Sequence, residues 1–178
     1  MSILYSTQTG KAFFKPKTIK ELKDLICDAM EKNGIHCSLN HIDISGLKSL
    51  SCLFNRPPTD ISANNYFTEE EKELNNLIPR YMQLYTFDGD ISEWNTTNIE
   101  DMSFMFNAST FTGKFSNLSK WDISNVLNME HMFAYSCFDN NISNWKINKR
   151  CSISYMFWHS GCKLKNQPIL LECYNYNM

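Results

Sequence analysis

Large apolar residues recur along this chain at two spacings that alternate. Phe87 to Asn107 reads FDGDISEWNTTNIEDMSFMFN, Phe115 to Ala134 reads FSNLSKWDISNVLNMEHMFA, and Phe138 to Trp158 reads FDNNISNWKINKRCSISYMFW. Trp94, Trp121 and Trp145 set the register, and Met105-Phe106, Met132-Phe133 and Met156-Phe157 each follow 11 positions later. An earlier copy without tryptophan, Leu39 to Phe54, places Ile42 at the tryptophan position and Leu53-Phe54 at the Met-Phe position. A period of about 25 residues, held over four copies, is the mark of a repeat array. Within a unit, Leu118-x-x-Trp121-x-Ile123 alternates as a short strand does. Val126-x-x-Met129-x-x-Met132-Phe133 has the spacing of a 3-10 or α turn. Ser124-Asn125 and Thr97-Asn98 stand between the two halves as corners. A strand, a corner and a turn per unit predict an α/β repeat solenoid, with Trp94, Trp121, Trp145, Met105, Phe106, Met132, Phe133, Met156 and Phe157 as its repeated core. The last unit carries Lys149-Arg150 at its corner and must build it differently.

The ends and one interruption complete a single domain over 1–178. Residues 18–33 predict an N-terminal cap helix. Thr18 and Glu21 form its capping box, Leu22, Leu25, Ile26, Ala29 and Met30 its apolar stripe, and Asn33-Gly34 its stop. Residues 39–55 are the first repeat, 87–161 hold three more, and 162–178 form a C-terminal cap. Between them, residues 56–86 are an insertion with an acidic helix: Thr68 caps it, Glu69, Glu70 and Glu71 sit where the helix dipole favours them, and Pro79 ends or kinks it. Insertions into repeats fall on one face and often carry binding.

Composition agrees with the period. The 20 Asn and 18 Ser are turn formers, while the 12 Phe, 9 Met and 4 Trp furnish the core. With 17 basic and 19 acidic side chains, the charge balance argues against wrapping nucleic acid or a basic membrane anchor. The aromatic residues recur at inward positions, as core does, which argues against base-stacking platforms. Seven cysteines, an odd number with no CxxC pair, read as free buried thiols in a reducing, cytoplasmic setting. The N-terminus has no signal-peptide pattern, and no run of 18 apolar residues is present to engage a membrane.

No chemistry stands out. His36, His41, His131 and His159 make no zinc-type pair of pairs with the cysteines, and there is no nucleophile elbow, phosphate loop or dinucleotide motif. No catalytic, metal or cofactor residues are therefore expected. What a repeat array offers is a continuous outward face, here His41 and Asp43, Glu93 and Asn95, Lys120 and Asp122, Asn144 and Lys146, grading from acidic to basic. With Glu69, Glu70 and Glu73 of the insertion, these are the expected partner-binding residues.

The units resemble the BspA-like leucine-rich repeat family, whose pattern runs Phe-Asn-x-Asp-Leu-Ser-x-Trp-Asp-Val-Ser-Asn-Val-x-x-Met-x-x-Met-Phe. Phe87 to Phe106 and Leu118 to Phe133 follow it nearly position by position, and Lys15-Pro16-Lys17-Thr18 and Cys37-Ser38-Leu39-Asn40-His41-Ile42-Asp43 are similar to the family's leading segments. The resemblance implies a leucine-rich-repeat-like stack and an interaction role, with no catalytic residues to carry over. The expected function is thus a non-enzymatic module that recognises a partner protein through the strand face and the insertion, in its narrower form an inhibitor or immunity-type, phage-borne anti-defence protein. The alternatives are a bacterial surface or attachment protein and a nucleic-acid-contacting inhibitor.

Overall fold

The computed structural model describes residues 2–5, 12–57 and 78–169. The chain starts with a hairpin in which β1 (Ser2–Tyr5) pairs antiparallel with β2 (Ala12–Lys15), Ser2 opposite Lys15 and Tyr5 opposite Ala12. Helix α1 (Ile19–Asn33) follows. Thr18 Oγ1 accepts from the Glu21 amide at 3.2 Å, and Glu21 Oε2 accepts from the Lys17 amide at 2.8 Å, so two amides of the helix entry are satisfied. Gly34, at φ 81°, ends the helix with its N–H donating to the Met30 carbonyl at 2.8 Å. Leu22, Leu25, Ile26, Ala29 and Met30 are all buried, in one cluster with Leu39, Ile42 and Phe54 of the first repeat. The helix is not alone at this end: Phe14 of β2 forms a parallel bridge with Ile42, and the Asp43 amide donates to the Phe14 carbonyl at 2.8 Å.

The expected α/β repeat solenoid, and with it the leucine-rich-repeat-like stack, is overturned. Among the described residues the hairpin holds the only strands, α1 is the only helix longer than one turn, and no repeat contains a strand. The reason lies in the polar residues of the alternating half-unit. Asn117 Oδ1 accepts from the Ser119 amide at 3.2 Å, and the Leu118–Lys120 stretch closes into a 3-10 turn. Asp122 Oδ1 likewise accepts from the Ser124 amide at 2.9 Å. Asx bonds of this kind take the amides that a β ladder would need.

The four units still stack, by other means. Each tryptophan donates its indole N–H to the preceding unit: Trp94 to the Leu39 carbonyl at 3.0 Å, Trp121 to Ile91 at 3.1 Å, and Trp145 to Leu118 at 2.9 Å. Phe54, Phe106, Phe133 and Phe157 form a ring column with centroids 5.4, 5.5 and 5.6 Å apart. Trp94, Trp121 and Trp145 form another, at 6.5 Å steps. The Met-Phe half carries a regular set of backbone links. Met102, Phe104, Phe106 and Ala108 donate to the carbonyls of Asn128, Glu130, Met132 and Ala134, while Met105, Asn107 and Ser109 donate back within their own unit. Alternate amides thus serve the turn and the neighbour, and strand-like pairing between units among the described residues reduces to single parallel bridges, Ser38 with Asp90 and the series Ser49, Asp101, Asn128 and Ser152. Of the expected core, Trp94, Trp121, Trp145, Met105, Phe106, Met132, Phe133 and Met156 are buried; Phe157, the last ring of its column, is partly buried.

Two registers differ from the sequence alignment. Phe111, not Phe115, is the leading ring of unit three, in column with Phe87 at 6.3 Å and Phe138 at 6.1 Å. Phe115 is exposed, against the His36 ring at 4.8 Å. The extra residues after Phe111 turn at Gly113, φ 75°, where a Cβ would lie 2.9 Å from both Asn140 Cβ and the Phe138 ring. At the corner of unit four, Asn148 takes the part that Asn98 and Asn125 play earlier: its Nδ2 donates to the Ser124 carbonyl at 3.3 Å and its Oδ1 accepts from the Arg150 amide at 3.0 Å. Of the 56–86 insertion, residues 56–57 and 78–86 are described: a helical turn at Ile78–Tyr81 and a 3-10 turn at Leu84–Thr86 pack on α1. Arg80 pairs there with Asp24, Asp28 and Glu31, and Tyr81 Oη donates to Asp24 at 2.6 Å. The acidic helix expected from Thr68 lies outside the described residues. Among the described residues no helix is long and apolar enough to cross a membrane.

Candidate functional site

The residues expected to bind a partner are placed mainly in the service of the fold. Glu93, Asn95, Lys120, Asp122, Asn144 and Lys146 are exposed or half-exposed, and His41 and Asp43 are half-buried. Glu93 and Lys120 pair with each other, so the acidic-to-basic gradient cancels at its middle. Asn95 Oδ1 accepts from the Thr97 amide at 3.1 Å, and Asn144 Nδ2 donates to the Ser119 carbonyl at 2.9 Å. Asp43 pairs with Lys15 at 3.1 Å, and the His41 ring sits edge-on to Phe14 at 5.8 Å. Glu69, Glu70 and Glu73 lie outside the described residues. Near this face a polar recess of about 580 Å³ is lined by Ser92, Lys114, Phe115, Asn117 and Asn141 among others. Its amides are turned inward on the backbone, Asn141 Oδ1 accepting from Ser143 N at 3.0 Å and Asn140 Nδ2 donating to the Ser116 carbonyl at 2.7 Å.

The Met-Phe half of the stack is different. Seven non-glycine residues there have φ between 51° and 56°: Cys52, Phe104, Ala108, His131, Tyr135, Tyr155 and His159. They fall in two rows, one residue before each Met-Phe pair and two residues after it. In the first row Phe104, His131 and Tyr155 stack at 4.8 and 5.0 Å; in the second Tyr135 stacks on His159 at 5.3 Å. Trp158 ties the rows together, edge-on to Tyr155 at 5.6 Å and to His159 at 4.8 Å, with its Nε1 donating to Tyr135 Oη at 3.1 Å. These rings are not core: Tyr135 is 57% exposed, Tyr155 52% and Trp158 45%.

The left-handed conformation costs an L-residue ~1–2 kcal/mol, and glycine, asparagine and aspartate take it at least expense. The chain has 20 Asn. None of them is at a left-handed position among the described residues. Ring stacking returns ~0.5–1.5 kcal/mol per pair on top of the area it buries, which offsets the backbone cost, yet more than half of Tyr135 and of Tyr155 stays exposed. The apolar pattern places His131 outward but does not single out the other rings. The signal in the sequence is the recurrence of Phe, His and Tyr immediately before Met-Phe, at a position that the spacing of three puts outside.

Burial holds Cys27 and Cys151 up at about 11 and Cys162 at about 12, so these thiols stay protonated near neutrality. Among the described residues no three His, Cys, Asp or Glu side chains converge as metal ligands.

A family model described as "Mycoplasma protein of unknown function, DUF285" matches residues 48–171. No curated protein and no solved structure matches the chain. The family found is therefore not the BspA-like leucine-rich repeat family that the repeat pattern resembles, and that assignment is corrected. The shared Trp and Met-Phe spacing reflects what a ~25-residue coil needs to bury its edge.

Proposed function

The chain belongs to the DUF285 family, and for it we propose a non-catalytic role: recognition of a partner protein through the aromatic face formed by Phe104, His131, Tyr135, Tyr155, Trp158 and His159. One observation carries the reading, namely that exposed aromatic rings occupy left-handed backbone positions where smaller residues would fold at lower cost. Tyrosine and tryptophan are the side chains on which protein interfaces concentrate their binding energy, because each offers a large apolar body with a polar tip. The polar face of Glu93, Lys120 and their neighbours is taken up by pairs and Asx bonds within the chain, and has a secondary part. We place the role in a reducing compartment, the cytoplasm, on the support of the exposed free thiols of Cys52 and Cys137.

The test uses the full-length chain immobilised against an extract of its source cells. A variant carrying Tyr135→Asn and Tyr155→Asn suits the backbone and should keep the wild-type melting temperature. Specific capture should fall at least ten-fold with it and persist with Glu93→Gln and Lys146→Gln. Capture that ignores the tyrosines overturns the reading.

A further inference from the structure

In the Met-Phe half the links between units have a direction. In units one to three, alternate amides of the Met-Phe half, or of its Leu53-Phe54 counterpart, donate forward. Leu50, Cys52, Phe54 and Arg56 donate to the carbonyls of Asp101, Ser103, Met105 and Asn107. Unit two gives its four bonds to unit three through Met102, Phe104, Phe106 and Ala108. Met129, His131, Phe133 and Tyr135 donate to Ser152, Ser154, Met156 and Trp158. The equivalent amides of unit four are those of Ile153, Tyr155, Phe157 and His159, and no carbonyl among the described residues accepts from them. The amides in between are satisfied at home: Met156 donates to Ile153, Trp158 to Tyr155 and Ser160 to Phe157, at 3.0–3.1 Å. The described C-terminal residues cover the other half of the unit. There Ile142 donates to the Asn166 carbonyl at 2.9 Å, and Asn166 and Lys163 bond Asp139.

At this edge lies a recess of about 220 Å³, lined by Tyr155, Phe157, Trp158, His159 and Gln167. Phe157 ends the ring column, stacked on Phe133 at 5.6 Å, with no ring on its outer side among the described residues. The edge therefore repeats, in donors and in ring, the interface that joins units one to two, two to three and three to four.

We infer that the outer edge of unit four is a docking site for an extended segment of a partner protein. The segment presents backbone carbonyls at every second residue to Ile153, Tyr155, Phe157 and His159, and lays an aromatic or long aliphatic side chain over Phe157. The argument is continuity: the chain forms this same interface three times with itself, and the fourth instance has donors without acceptors among the described residues. Strand-like addition to an edge supplies affinity through the main chain and selectivity through the recess. The inference rests on the proposed aromatic-face recognition and specifies how the partner's backbone is held.

The probe is a synthetic peptide with the sequence of Arg150–Gly161, capped at both ends, added to the ¹⁵N-labelled full-length chain. Its own alternate carbonyls are the ones that unit three bonds. The amide resonances of Ile153, Tyr155, Phe157 and His159 should shift on titration, and their hydrogen exchange should slow at least ten-fold. A peptide with serine in place of the Phe157 equivalent should bind at least ten-fold more weakly. Two results overturn the proposal. One is that these four amides already exchange slowly in the free full-length chain, which means that the chain closes its own edge. The other is that the peptide leaves them unmoved or binds elsewhere. Failure of the two readings is distinguishable: amides that respond while capture ignores Tyr135 and Tyr155 sink the aromatic face alone, and capture lost with the tyrosines while the amides stay still sinks the edge alone.

Discussion

Asn125 reaches out of its own unit, its Nδ2 donating to the carbonyl of Thr97 at 2.8 Å in the unit before. Asn98 does the same to Ser45 at 2.8 Å. An amide side chain here replaces one rung of the sheet that the repeats do not form. Asn125→Ala should lower stability by about 0.5–1.5 kcal/mol, the net worth of one such bond. Asn125→Asp should cost more, since a carboxylate faces the carbonyl instead of a donor. Urea midpoints of the two variants check the order, and an aspartate variant as stable as wild type would show that the bond contributes nothing.

Trp121 combines a ring in the column with an indole bond to Ile91 at 3.1 Å. Trp121→Phe should destabilise by about 1–3 kcal/mol through the smaller ring and the lost bond, and Trp121→Ala by about 3–5 kcal/mol, enough to unfold a short stack. Thermal melts followed by circular dichroism separate the two.

Ala108 holds φ 52° with no ring to stack. Ala108→Gly relieves the left-handed backbone but frees the unfolded chain, so a net gain of roughly 0.5 kcal/mol is expected. Loss of stability in this variant would mean that the methyl group packs better than the backbone is strained.

The pairing of Lys163 with Asp139, through the side chain and then the backbone amide of Lys163, holds the Asp139 carboxyl down at about 2. A carboxylate whose folded value lies below its unfolded one stabilises the fold above the unfolded value. That contribution disappears as pH falls from the ordinary 3.8 towards about 2. Melting temperatures measured from pH 5 to pH 2 should drop less steeply across this window in Asp139→Asn than in wild type. Parallel curves would remove Asp139 from the account of acid unfolding.

Much of this molecule is legible in the sequence wherever residue type and spacing coincide. The capping box at Thr18 and Glu21, the stripe of α1 and the tryptophan and phenylalanine columns all come from residues that have one favourable place to be. The alternating Leu118-x-x-Trp121-x-Ile123 is another matter, because a run of Asx and 3-10 turns buries every second or third residue much as a strand does. What decides between them is whether Asn117 and Asp122 bond their own backbone, and the pattern of apolar positions does not record that. Two phenylalanines four apart, Phe111 and Phe115, leave the start of unit three open to the wrong choice. The aromatic face is hidden for a related reason: a left-handed backbone is usually announced by glycine or asparagine, and here Phe104, Tyr135 and Tyr155 occupy it instead.

The forward direction of the amides also bears on how such a chain can change its length. A unit whose Met-Phe amides give bonds on one side and whose carbonyls receive them on the other keeps these main-chain links when it is duplicated whole. A second copy of residues 111–137 placed after Cys137 would accept from the original Met129, His131, Phe133 and Tyr135, and its own serine would receive the side chain of Asn148. Recombination by complete repeats is therefore the genetic step this architecture absorbs most readily, and the number of units is a quantity that descent can adjust while the main-chain links of the Met-Phe half carry over.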